Sequence, residues 1–175
     1  SKGSGLVPIG INADVFKDPS FKGNIPLDID PSDEAAVKYG WMFFDKAYGD
    51  ENNNNSNKKL KDWMEKGYDG TIKIGDELPW TNGSRSSTVM TYNDLVGKEV
   101  LAPVYEVINI TEGKNKKEDT ANVRIVGFVL IKVEPADKKN KDMKATFVKY
   151  ANITGTPSDD EDIVEYRVYS SKLID

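Results

Sequence analysis

The chain has 175 residues, 30% of them charged and 38% hydrophobic, and a net charge of -5. Such a chain suits one domain that buries about 70% of the surface its unfolded form would expose, and its sign disfavours wrapping a polyanion such as nucleic acid. It contains no cysteine and no histidine, which removes thiolate and imidazole metal sites, thiol nucleophiles, disulfides and any Ser-His-Asp triad within the chain.

Residues 1–5, SKGSG, read as a flexible lead, with neither the basic nor the apolar region of a signal peptide. No window approaches the roughly 18 to 20 apolar residues that span a bilayer. LVPIGIN follows, and Pro8 places it at a sheet edge or in an extended segment. Asp14 to Pro31, interrupted by three prolines, reads as loop packed through Phe16, Phe21, Ile25 and Leu27. Tyr39, Trp41, Met42, Phe43 and Phe44 read first as strand or core, and second as an exposed contact surface. Tyr48 to Lys59 is a polar, asparagine-rich loop with nothing to bury.

Ser56 or Asn57 caps a predicted helix over Lys58 to Lys66, whose Leu60, Trp63 and Met64 share one face and which Gly67 stops. Thr71 to Ile74 reads as a strand between two turns, and TNGSRSS after Trp80 as a tight polar loop. Thr91 and Asp94 resemble a capping box for a brief helix to Val96, closed by Gly97.

The strongest signal is the pair of runs VLAPVYEVINI and ANVRIVGFVLIKV, joined by the charged loop Thr111 to Thr120. In the second run Val123, Ile125, Val129, Ile131 and Val133 fall on one face, and Val126, Phe128 and Leu130 on the other. That predicts a central strand covered on both sides, within a hairpin whose loop projects into solvent. Lys144 to Tyr150 and Ile163 to Tyr169 complete the strands, the latter near an edge. The expected fold is mainly β with one or two short α-helices, an antiparallel sandwich or distorted barrel, as a single domain over residues 6–175.

The most metal-like spacing is Asp28, Asp30, Asp33 and Glu34, four hard oxygen ligands within seven residues. It departs from a calcium loop at Pro31 and Ser32 and lacks the turn glycine, so acidic residues opening a helical turn explain it more simply. No metal or cofactor residue is therefore assigned. Asp159 to Asp162 reads as a solvated charge run. Asp69, Asp76 and Glu77 could contribute to an acid pair for glycoside cleavage, but turn formation accounts for them. No catalytic residue is assigned on this basis.

LKDWMEKGYDGTIKIGDELPW, TNGSRSSTV, VLAPVYEV and VRIVGFVLIKV, in that order, resemble the exported domain of TadE/TadG-like proteins of the Flp (tight adherence) pilus assembly system. LVPIGI and ATFVKY extend the resemblance over roughly residues 6–150. Loop Thr81 to Ser87 lacks the proline frequent in that family, and the tail after Gly155 has no counterpart. The resemblance implies a non-catalytic minor pilin or assembly component, held outward-facing at the cell surface by an N-terminal transmembrane segment of the full-length protein. Its partners would be pilus or envelope assembly proteins, met through Tyr39 to Phe44 and the loops Asp50 to Asn57 and Thr111 to Thr120. The competing reading is a secreted carbohydrate-active hydrolase or binding module using carboxylates and an exposed tryptophan among Trp41, Trp63 and Trp80.

Overall fold

The computed structural model describes residues 5–29, 36–47, 54–114 and 118–151. The fold is mainly β. Seven strands run β1 Ile9–Asn12, β2 Asn24–Pro26, β3 Tyr39–Met42, β4 Glu77–Thr81, β5 Glu99–Thr111, β6 Thr120–Glu134 and β7 Lys144–Ala151. Among the described residues three α-helices, α1 Asp14–Lys17, α2 Asn54–Lys66 and α3 Ser86–Asn93, and a 3-10 turn at Ala36–Lys38 join them.

The fifteen-residue β6 is the spine, as its two apolar registers predict. One of its edges pairs with β5 along most of its length, while the other takes β4 at Thr120–Arg124 and β7 at Phe128–Glu134. From β4 the pairing runs through β3 and β1 back to β5, so the strands close into a ring. β1 meets β5 over only two residue pairs, Ile11 with Val104 and Asn12 with Tyr105, which leaves the ring distorted. Those pairs are parallel, so the sheet is mixed and not purely antiparallel. β1 is also no edge strand: Pro8 stands just before it, and Ile9–Asn12 lie between β3 and β5.

A bulge changes which residues of β6 share a face. Val104 pairs with Gly127 but Tyr105 with Ile125, leaving Val126 unmatched. One extra residue inverts the alternation beyond it. Val123 and Ile125 therefore pack with Phe128, Trp80 and Leu101 in one core cluster, whereas Val126, Val129, Ile131 and Val133 pack in the other. The single face expected for Val123 through Val133 is thus two faces.

The second of these clusters carries the helices. α2 enters it through fully buried Leu60 and Met64, with Trp63 half-buried beside them. Gly67 ends α2 at φ +80° and donates its N–H to Trp63 O at 2.8 Å, as the stop signal predicts. α2 starts earlier than expected, at Asn54, and the Ser56 and Asn57 side chains accept hydrogen bonds from Arg85.

Two local expectations fail. Thr71 to Ile74 is not a strand: Asp76 Oδ2 accepts the Lys73 N–H at 2.8 Å and closes a turn, with Ile72 buried and Ile74 exposed. The helix placed after Thr91 instead begins at Ser86 within the supposed loop and ends at Asn93. Thr91 lies inside it and bonds back to Ser87 O at 2.9 Å. The strand expected over Ile163 to Tyr169 lies outside the described residues.

Candidate binding cleft

Arg85 stands at the centre of a polar network with Ser56, Asn57 and Glu118. It stands at the N-cap of α3, only 9% exposed, with its guanidinium 6.0 Å over the Phe43 ring. Nη1 donates to Ser56 Oγ at 3.3 Å and to Asn57 Oδ1, and Nη2 donates to Glu118 Oε2 at 2.9 Å. A buried cation requires such partners. Thr81 Oγ1 donates to Asp119 O at 2.7 Å, and Asn82 Oδ1 accepts the Asp119 N–H at 2.9 Å. The returning end of the hairpin loop is thereby clamped onto β4 and α3. Thr111 to Lys114 are exposed, as expected of a projecting loop, but Glu118 and Asp119 fold back.

Beside this network opens a cleft of about 820 Å³, within the usual range for ligand pockets. Its floor is apolar, with Leu27, Ile29, Trp41, Val89 and Met143, and its rim is polar, with Ser84, Arg85 and Ser86 facing the loop Asp137 to Lys144. Backbone hydrogen bonds fix one wall: Leu27 N–H to Met143 O at 3.1 Å, and Gly83 N–H to Ile29 O at 2.7 Å. The other wall is held by Asn93, whose side-chain amide donates to Lys139 O and to Asp142 O, and by the Tyr92 hydroxyl, which donates to Lys144 O at 2.8 Å. Trp41 Nε1 donates to Gly83 O at 2.8 Å and locks the floor to the rim.

The rim charges fall into two groups. Lys144 pairs with Asp137 at 2.9 Å and Lys139 with Asp94 at 2.8 Å. Lys138 and Lys141 are exposed and make no ion pair among the described residues. Burial, with the Asp28 charge nearby, pushes the Tyr39 hydroxyl up to about 12. Burial likewise pushes up Tyr92 and Tyr105, so these three phenols stay protonated donors at neutral pH.

Of the four acids with metal-like spacing, Asp28 is exposed on the cleft rim, and Asp30, Asp33 and Glu34 lie outside the described residues. The run Asp159 to Asp162 also lies outside them. Among the described residues no three acidic side chains are grouped so as to hold a metal ion. Asp76 closes its turn, and Glu77 on β4 faces Arg124 at 3.5 Å.

The aromatic segment is core: Tyr39, Trp41, Met42, Phe43 and Phe44 are each no more than 6% exposed. It therefore offers no exposed contact surface, because its strand lies inside the sheet between β1 and β4 and Trp41, which underlies the cleft, is 0% exposed. Trp80 is buried too, with Nε1 donating to the Tyr105 hydroxyl at 3.0 Å, so of the tryptophans only half-buried Trp63 reaches the surface, packed edge-on to Tyr68. Among the described residues no helix is long and apolar enough to cross a membrane.

Arg85 is the residue that sequence reasoning missed. Its signal was a lone arginine amid Asn, Gly and Ser directly before a run containing Val89 and Tyr92, a composition read as loop. Comparison with protein-family models, with characterised proteins and with solved structures finds no match to this chain.

Proposed function

We propose that this chain is a non-catalytic, extracytoplasmic module of a TadE/TadG-like pilus assembly or minor pilin protein, acting in surface adhesion through protein contacts. In the full-length protein an N-terminal transmembrane segment would hold it at the cell surface. One observation carries the reading: the family-like stretch TNGSRSSTV supplies Gly83, Ser84, Arg85, Ser86 and Val89, five of the residues that line the cleft. One of the stretches that carry the resemblance thus also lines a surface concavity. Contact through a preformed cleft on a braced sheet suits recognition without chemistry.

The contact surface in this reading is the cleft and the exposed hairpin segment Thr111 to Lys114, in place of the buried aromatic segment. The test is carried out in the organism that encodes the protein. Lys138→Glu with Lys141→Glu in the full-length chain should abolish surface pili in electron micrographs while the protein keeps its level and its protease resistance. Undiminished piliation in that variant, together with no cross-link from a photoreactive group at Ser84 to any envelope protein, would sink the proposal.

A further inference from the structure

We infer that Asn82–Gly83 is a spontaneous deamidation site that the fold keeps inert, so that opening of the clamp between the hairpin and β4 is written into the chain as a permanent covalent change. This property belongs to the fold itself and holds whatever partner the protein meets.

Asn82 and Gly83 form the one Asn-Gly pair in the sequence. In an open chain such a pair is chemically unstable, because glycine has no side chain to hinder approach to its own nitrogen. The Gly83 nitrogen gives up its proton and attacks Asn82 Cγ, the Cγ–Nδ2 bond breaks, and ammonia leaves carrying that proton. Water then opens the cyclic imide to aspartate or to isoaspartate. Nothing but water is consumed.

In the fold each group that this step needs is engaged. Gly83 N–H donates to Ile29 O at 2.7 Å, so the nucleophile is occupied. Asn82 Oδ1 accepts the Asp119 N–H at 2.9 Å and Nδ2 donates to Asp119 Oδ2 at 3.4 Å, so the amide cannot turn towards Gly83 without breaking both bonds. Asn82 is 0% exposed, and Glu118 lies so close to Gly83 that a Cβ there would stand 2.4 Å from its Oε1. Hydroxide, which must take the Gly83 proton, therefore meets a closed surface that carries two carboxylates.

Either product stops the clamp from closing again. Conversion of Asn82 to aspartate sets a second carboxylate against Asp119 Oδ2, where an amide donor stood. Isoaspartate adds a carbon to the main chain directly before Gly83, whose N–H and C=O hold Ile29 and Trp41. The wall and floor of the cleft are then lost together, and a reversible opening becomes an irreversible one.

The test follows the 175-residue chain in mildly alkaline buffer, native and in urea, by mass spectrometry of the peptide that carries Asn82. Modification of a closed site proceeds only through the fraction that opens, so the native chain should deamidate at Asn82 at least about a hundred-fold more slowly than the chain in urea. Asp119→Ala frees Nδ2, and Thr81→Val removes the 2.7 Å bond from Thr81 Oγ1 to Asp119 O. Each should raise the native rate several-fold, relative to the same variant in urea, while the melt stays cooperative. The parent chain tests the guard without any variant. Once urea is removed, the deamidated chain should melt below the parent and exchange its Gly83 and Asp119 amide hydrogens faster. Equal rates in the native and urea-treated parent would overturn the inference, and so would a deamidated chain that regains the parent's melting temperature and amide protection.

Discussion

Removing the Glu118 carboxylate should cost more stability than removing the Arg85 guanidinium it faces. The two partners are unequally buried: the Arg85 side chain is 7% exposed and that of Glu118 36%. In Glu118→Ala the arginine keeps its charge inside the protein with Ser56, Asn57 and the Phe43 ring as its remaining partners among the described residues. Stranding one member of a fully buried ion pair costs about 3–5 kcal/mol. Because Glu118 is partly solvated, the loss here should be nearer 2 kcal/mol. In Arg85→Met the hydrophobic stem is retained over Phe43 and Glu118 turns to water, so about 1 kcal/mol is expected. The double variant should match Arg85→Met, because nothing remains for Glu118 to neutralise. Urea unfolding followed by tryptophan fluorescence measures all three, and a 2 kcal/mol loss at ordinary slopes moves the midpoint by about 1 M. If Glu118→Ala is as stable as the parent, or if the two single losses simply add in the double variant, Arg85 is not held as an ion-paired hub.

Two further perturbations probe the frame around that hub. A Cβ at position 40 would lie 1.8 Å from Trp80 Nε1 and 2.1 Å from its Cε2, and Trp80 is 1% exposed with no room to retreat. Gly40→Ala should therefore lose more than about 4 kcal/mol, the upper range for core damage, and a cooperative melt near that of the parent would refute it. Raising the pH should also unfold the protein. Tyr39 titrates near 10.0 when exposed but near 12 in the fold, so between those values the unfolded chain releases a proton that the native one retains. Its contribution is complete below pH 10 and is lost as pH climbs towards 12, by about 2–3 kcal/mol for this group. Absorbance at 295 nm during alkaline titration should show phenols ionising together with unfolding; reversible ionisation of every tyrosine in a folded protein would contradict this.

The main β architecture was legible because its signal is local. β5 and β6 announce themselves by apolar residues in both registers, and α2 by Leu60 and Met64 ending at Gly67. What escaped depends on distant partners. The bulge at Val126 inverts the faces of β6, yet Val126 looks like any other residue in the run, because the shift is defined by which β5 residue lies opposite. Pro8 allows an edge strand or a segment that precedes regular pairing, and the second holds: β1 starts one residue later, so the missing N–H costs no ladder bond. Asn, Gly and Ser between Thr81 and Ser87 favour turns locally, and they hid the start of α3. Arg85 could not be recognised as buried, since its counter-charge lies 33 residues away at Glu118.

Gly83 shows how one short stretch serves both fold and cleft. Its φ of +109° belongs to the left-handed region that glycine tolerates, and a Cβ there would stand 2.4 Å from Glu118 Oε1. Its N–H holds the Leu27–Ile29 wall through Ile29 O, and its carbonyl holds the floor through Trp41 Nε1. The next two residues supply Ser84 at the rim and Arg85 at the hub. Wall, floor, hairpin and helix start therefore meet within three consecutive residues, Gly83 bonding to Ile29 and Trp41 and Arg85 to Ser56, Asn57 and Glu118. A cleft braced in this way needs little rearrangement to accept a partner, which leaves more of the contact energy to appear as affinity. The same bracing means that a substitution at Gly83 should disturb folding and binding together, whereas changes at Lys138 and Lys141, on the exposed rim, should reach binding alone.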